Sequence, residues 1–281
     1  MSIKKKILVA FDGSHYSGPV LDFAISLCKG NGNQLTGLFI EDLSYIYMLT
    51  NIGTEPQTFE YPTALLDDIE KEDLKAIDQN ITLFKNKCAE AGINFNAHLD
   101  KGVPAAELVK ESAFADILLI GYQTYFSNLN QASSETVQDF LKGSHCPVWV
   151  VPQVANDIHE IIFAYDGHES SVWAIKQFIL LFGDNYKHKK ATLLRIINNP
   201  GEDLGNEPLI LDYLRLNFPA IEHEVRVGKP EVEIPQFAEN MPGSLLIMGS
   251  YGRGFISRLF KKSAAEKVIE SGSVPVFIAH R

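Results

Sequence analysis

Cysteine is nearly absent from this sequence. Three residues, Cys28, Cys88 and Cys146, are scattered over 281 positions and fall outside any CxxC spacing. An odd, dispersed set argues against a disulfide framework or a structural zinc site and fits a reducing compartment. Long apolar runs are missing as well. No stretch approaches the ~20 residues a spanning helix needs, and the mean hydropathy is -0.02. Met1-Ser-Ile-Lys-Lys-Lys does put positive charge before apolar residues, but Ile7–Phe11 is short and runs into Asp12-Gly13, so it reads as a strand rather than a signal peptide. Positive charge is in deficit: Lys and Arg number 25 against 35 Asp and Glu, a net charge of -10. That balance is opposite to the one a general nucleic-acid binder needs to neutralise phosphates. The eight histidines form no HxxxH or HxH pair, so no metal centre is expected. Ser14 and Ser17 lie near Asp12, but no base accompanies them and no Gly-x-Ser-x-Gly occurs, which leaves no catalytic residue to name. The expectation is an acidic, cytoplasmic protein with no nucleic-acid or membrane partner.

What the chain has is repetition. Ile7-Leu-Val-Ala-Phe-Asp-Gly matches Ile161-Ile-Phe-Ala-Tyr-Asp-Gly. Gly102-Val-Pro104 matches Gly228-Lys-Pro230, Ile117-Leu-Leu-Ile-Gly121 matches Leu245-Leu-Ile-Met-Gly249, and Cys146-Pro-Val148 matches Val274-Pro-Val276. Such self-similarity over more than a hundred residues is the mark of a duplicated domain. The expected division is 1–152 and 158–281, with a short polar linker after Pro152. The second copy is shorter, the loss falling between its second and third strands, where Glu41 to about Glu72 has little counterpart.

Each copy alternates two periodicities. Ile7–Phe11, Leu35–Ile40, Phe95–Leu99, Ile117–Ile120 and Val148–Val151 are short apolar runs, the signature of parallel strands buried on both faces. Between them, Val20, Ala24, Leu27 and Cys28 share one helical face that Gly30-Asn-Gly32 stops. Leu74, Ile77, Ile81, Phe84 and Cys88 follow the alternating three- and four-residue spacing of a long amphipathic helix ending at Gly92. Pro104 suits the first turn of the next helix, and Val137, Phe140 and Leu141 form the last apolar face before Gly143. In the second copy Val172, Ile175, Ile179 and Phe182, then Ala265, Val268 and Ile269, repeat the pattern. The predicted class is α/β: two tandem open sandwiches, each a five-stranded parallel sheet with helices on both faces.

The opening strand ending in Asp-Gly (Asp12, Asp166), the Gly-x-Pro after strand three and the closing x-Pro-Val together resemble the universal stress protein family, over nearly the whole chain. The most specific stretch is Gly249-Ser-Tyr-Gly252-Arg-Gly-Phe-Ile-Ser-Arg258-Leu-Phe-Lys-Lys262-Ser263. The nucleotide-binding branch of that family carries Gly-x2-Gly-x9-Gly-(Ser/Thr). The spacing is kept here, with Lys262 in place of the third glycine. The resemblance implies strand order 3-2-1-4-5, an intrachain pseudo-dimer through the final strands Val148–Val151 and Val276–Ile278, and a further homodimer as a weaker expectation. It also implies a stress-response or signalling role, and ATP or another adenine nucleotide bound by Asp166, Gly249, Gly252, Arg253, Lys262 and Ser263 of the second copy. Dedicated catalysis is not implied; slow ATP hydrolysis is the most the residues would support, and no cofactor is essential.

The chemistry of that pattern stands on its own terms. In an open α/β sheet, ligands bind beyond the strand C-termini where the winding reverses. Glycines there let backbone N–H groups approach phosphates, and Ser263 would cap a helix whose N-terminus favours an anion. Arg253, Arg258, Lys261 and Lys262 concentrate four cations in an acidic chain. At position 262 a lysine stem would obstruct the phosphates, or its ammonium would replace a lost backbone contact; both readings stay open. The first copy has Gly121, Thr124, Ser134 and Glu135 at the matching places and neither Lys nor Arg between Tyr122 and Glu135, so ATP is not expected there, while another, less charged ligand stays open. Simpler readings stand beside these. Asp12 and Asp166 suit the capping of a following turn, and Tyr45, Tyr47, Met48, Phe59 and Tyr61 of the insert suit a packed loop, a dimer contact or a lid. An interaction scaffold or small-ligand module with degenerate sites is the alternative function.

Overall fold

The computed structural model describes residues 3–12, 16–43, 63–121, 141, 143–152, 157–202, 205–249 and 274–279, with Asp12 and residues 63–72 described by their backbone alone. In chain order the elements are β1 (Lys6–Asp12), α1 (Gly18–Cys28), β2 (Gln34–Asp42), α2 (Thr63–Glu90), β3 (Asn94–Gly102), α3 (Pro104–Ser112), β4 (Ile117–Gly121) and β5 (Val148–Val151). The second repeat follows with β6 (Glu160–Tyr165), α4 (Glu169–Tyr186), β7 (Lys190–Ile197), α5 (Glu207–Arg215), β8 (Ile221–Val227), α6 (Pro230–Glu239), β9 (Ser244–Gly249) and β10 (Val276–Ala279). Every apolar run expected as a strand is one. The helix expected from Leu74 starts earlier, at Thr63, so the end of the first repeat's insert is helical rather than loop. The apolar faces at Val137–Leu141 and Ala265–Ile269 fall outside the described residues, Leu141 excepted.

All ten strands join one sheet in the order β3-β2-β1-β4-β5-β10-β9-β6-β7-β8. Read inward from either edge, each half has the order 3-2-1-4-5, and every neighbouring pair within a half is parallel. The one antiparallel junction is the central one, with Val150 opposite Val276 and Trp149 opposite Phe277. Each repeat thereby covers the strand edge the other would leave open, the usual remedy for an exposed edge.

Strand pleating sends alternate residues to opposite faces. Ile7, Val9 and Phe11 enter one core together with α1, α2, α4 and α5, whereas Leu8 and Ala10 enter the other with α3 and α6. Both cores run across the β5–β10 junction. Trp149 sits at that crossing, fully buried. Its indole meets Phe23 of α1, Phe182 of α4 and Phe277 of β10 edge-on at centroid distances of 5.0, 5.1 and 5.8 Å, the geometry aromatic rings prefer. Pro104 and Pro230 open α3 and α6 as the missing N–H of proline allows. Among the described residues, no helix is long and apolar enough to cross a membrane.

Candidate functional site at the winding reversal of the second repeat

In the second repeat the chain winds from β6 to β7 and β8 on one side and to β9 and β10 on the other. The reversal therefore lies between β6 and β9, which pair through Phe163 and Ile247. Asp166 follows the last residue of β6 and Gly249 ends β9, so the fold brings these two sequence-predicted residues to the same end of adjacent strands. The N-terminus of α4, an 18-residue helix, begins beside them at Glu169. A cavity of about 550 Å³ lined by Lys4, Lys5, Lys6 and Asp116 lies at the other, N-terminal end of the first repeat's strands. That is the wrong pole for a site at a winding reversal.

Asp166 is nine-tenths buried and already has partners. Its Oδ1 accepts the backbone N–H of His168 at 2.9 Å and lies 2.7 Å from the Ser171 hydroxyl. That hydroxyl is also 2.8 Å from the His168 carbonyl, and its single proton serves one acceptor at a time. Oδ2 faces His168 Nδ1 at 3.2 Å. The carboxylate thus ties the turn into α4, as an Asx residue ahead of a helix does, with Gly167 at φ +87° supplying the left-handed step. A carboxylate can accept about four hydrogen bonds, so this capping does not exhaust Asp166.

Gly249 has a packing role. A Cβ there would stand 2.7 Å from the carbonyl carbon and oxygen of Ser170 and 2.8 Å from the Ser171 nitrogen. The glycine lets the first turn of α4 press against the end of β9, and it fixes where that helix N-terminus points. Gly252, Arg253, Lys262 and Ser263, with Arg258 and Lys261, lie outside the described residues. So do Thr124, Ser134 and Glu135 of the first repeat and the insert aromatics Tyr45 to Tyr61; the Asp12 side chain does too.

A group the sequence reading did not single out adjoins this turn. Arg195 of β7 is opposite Tyr165 in the sheet register and lies with its guanidinium carbon 5.7 Å from that ring. Its terminal nitrogens come within 3.1 and 3.2 Å of where a Gly167 Cβ would be. Glu207, the first residue of α5, stands 3.5 Å from Arg195 Nε and 2.8 Å from His223 Nε2 on β8, and Glu202 approaches Arg195 at 3.9 Å. Burial raises the pKa of Glu207 above its ordinary value, against the opposing pull of His223 and Arg195. At the places matching Tyr165 and Arg195 the first repeat has Phe11 and Phe39, 5.0 Å apart, with Phe84 of α2 packed 6.0 Å from Phe11. The two repeats thus differ in polarity directly beneath the strand ends. The available signal was a lone arginine inside the apolar strand Ala191-Thr-Leu-Leu-Arg-Ile-Ile197, because buried arginine is rare unless paired.

In each half, an open parallel sheet with helices on both faces and a reversal of winding between its first and fourth strands defines a module of the doubly wound α/β class. Comparison with known proteins narrows this. The model of the Universal stress protein family matches residues 4–152 and again 158–280. The chain belongs to the universal stress protein family, as a tandem member. The universal stress protein Slr1230 of Synechocystis is 24% identical over 287 residues, covering 97% of this chain and 98% of that one. The crystal structure of a universal stress protein from Archaeoglobus fulgidus superposes with a TM-score of 0.66 at 19% identity, covering 99% of this chain and 96% of that one. The cytoplasmic domain of a prokaryotic cation chloride cotransporter shares the fold at a TM-score of 0.53 and 9% identity, with coverage of 99% and 96%. The same double architecture therefore occurs in a protein of quite different description, and the fold alone does not assign a ligand.

Proposed function

We propose that this tandem universal stress protein binds an adenine nucleotide, ATP or a relative, at the winding reversal of its second repeat, in a cytoplasmic stress-response or signalling role. The observation that supports this most is the meeting of Asp166 and Gly249 at the ends of adjacent strands beside the N-terminus of α4. The sequence then leads directly from Gly249 into the cationic stretch Gly252, Arg253, Arg258, Lys261, Lys262 and Ser263. In this reading Asp166 uses its remaining acceptor capacity on the adenine or ribose side. Gly252 admits the phosphates to backbone N–H groups, Arg253 and Lys262 supply positive charge, and Ser263 caps a helix facing the anion. Gly249 contributes by placing α4 rather than by touching ligand. The first repeat, with Glu135 and no cation in the matching segment, is left without nucleotide.

The alternative, a scaffold whose crevices hold no nucleotide, draws on a specific observation too. Asp166 as a cap and Gly249 as a packing glycine are each accounted for without a ligand. Native mass spectrometry of the purified protein separates the two. Nucleotide binding predicts a one-to-one adduct with the mass of AMP, ADP or ATP, lost in Asp166→Ala; an adduct-free spectrum after incubation with millimolar ATP favours the scaffold.

A further inference from the structure

With β5 and β10 used against each other, the sheet among the described residues ends in two edge strands, β3 and β8, and these are built differently. On β3, Gly102 turns its carbonyl inward to the Leu43 N–H at 3.0 Å. In a parallel ladder alternate residues face the same neighbour, so Ala97 faces outward. Its N–H is taken by the Asn96 side chain at 2.9 Å, and Asn96 in turn contacts His98 at 3.1 Å. The β3 edge is blunted by its own side chains, a common protection against edge pairing.

The β8 edge has no such blunting among the described residues. Gly228 donates its N–H inward to the Ile197 carbonyl at 2.9 Å, so His223, Val225 and Val227 turn their backbone groups outward. Val225 and Val227 are 37% and 50% exposed.

We propose that β8 is the surface on which two copies of this chain join, antiparallel about a two-fold axis through Val225. The argument for a second copy as the occupant is self-complementarity of register and charge. Centred on Val225, the two outward-facing valines exchange N–H···O bonds with each other, and His223 does so with Val227 of the second copy. This is the alternation an antiparallel ladder requires. The same register sets Glu224 opposite Arg226 of the second copy, and Arg226 opposite Glu224, as close non-hydrogen-bonded pairs. Within one chain these residues already pair at 3.1 Å, and the Arg226 guanidinium lies 4.6 Å from the Phe237 ring, which holds it in place. Two such pairs joined across the axis make a four-charge network with no like charges opposed. A register shifted by two residues opposes Glu222 to Arg226 on one side of Glu224 but sets Glu224 against itself, and is disfavoured.

The test is the mass of the full chain in solution, with variants that spare the fold. Wild-type protein is expected to sediment at twice 31.3 kDa. Val225→Pro removes an outward N–H that no described residue uses, a position where edge strands tolerate proline, and is expected to give a folded monomer. Glu224→Arg should also give a monomer, and the swap Glu224→Arg with Arg226→Glu should restore the dimer. A Val225→Cys chain should be linked to its copy by a short bis-maleimide; the native thiols are all buried and do not compete. A wild type that stays monomeric at tens of micromolar overturns the proposal. A dimer that survives Val225→Pro with unchanged mass, or a Val225→Cys chain that fails to cross-link, overturns it equally.

Discussion

Replacing Trp149 tests how the two repeats are held together. Its ring is fully buried at the β5–β10 junction, against aromatic residues of α1, α4 and β10. Truncation to alanine leaves a cavity bounded by elements of both repeats, and large-to-small changes of this kind cost about 3–5 kcal/mol. Against a total stability of roughly 5–15 kcal/mol that is a substantial share. Trp149→Phe should behave differently. The indole Nε1 is buried without a hydrogen-bond partner among the described residues, and an unsatisfied donor costs about 1–3 kcal/mol. Phenylalanine loses part of the ring contact but removes that donor, so the net change is expected within about 1 kcal/mol of zero. The assay is equilibrium urea unfolding followed by far-ultraviolet circular dichroism and by the fluorescence of Trp173, the only other tryptophan. The two probes should coincide in the wild type and separate in Trp149→Ala as the second repeat loses its neighbour. A Trp149→Ala chain within about 1 kcal/mol of wild type, or a Trp149→Phe chain as damaged as Trp149→Ala, would refute the reasoning.

Two further outcomes follow from the site. Gly249→Ala drives a Cβ into the backbone of Ser170 and Ser171 at 2.7–2.8 Å, and because backbone yields little the expected loss is about 1–3 kcal/mol, read from the same urea titration; a neutral substitution would show that α4 does not press on β9. Burial holds the folded pKa of Glu207 above its ordinary value, so its contribution is greatest below the unfolded pKa and is lost as pH rises through the folded one. Glu207→Gln should therefore gain stability relative to wild type as pH rises from about 4.5 upward; parallel stability–pH curves for the two proteins would contradict the raised pKa.

Much of the architecture could be read from the sequence because burial on both faces leaves strands no freedom of pattern. Ile7–Phe11 and Ile117–Ile120 are continuous apolar runs for that reason, and the duplicated Asp-Gly and x-Pro-Val fixed the repeat. Resemblance supplied what periodicity could not, namely the strand order and the meeting of β5 with β10; that they meet antiparallel came from the structure. The early start of α2 at Thr63 was missed because the stretch from Thr63 to Glu72 lacks the sustained apolar spacing that identified Leu74 onward. Asp166 and Gly249 were expected at the ends of adjacent strands and stand there, but their present partners were not legible. Helix packing against Gly249 depends on how α4 meets β9, which is a tertiary matter, while the Ser171 contact to Asp166 is local but set by the geometry of the turn into α4. Arg195, Glu207 and His223 come from three separate elements and have no shared sequence spacing, so only the pairing of β7 with β8 and the seating of α5 bring them together.

The most direct test of the account is calorimetric titration of ATP into the wild type, Asp166→Ala, Gly252→Asp, Asp12→Ala and Lys262→Gly. Two or three charge-assisted contacts at roughly 1.5–3 kcal/mol each suffice for micromolar binding. Wild type and Asp12→Ala are expected to bind one equivalent with equal affinity, and Asp166→Ala and Gly252→Asp at least tenfold more weakly. Lys262→Gly should tighten binding if the lysine obstructs the phosphates and weaken it if the ammonium serves them. Equal loss in Asp12→Ala and Asp166→Ala, or no heat from any of the five proteins, would contradict a nucleotide site in the second repeat.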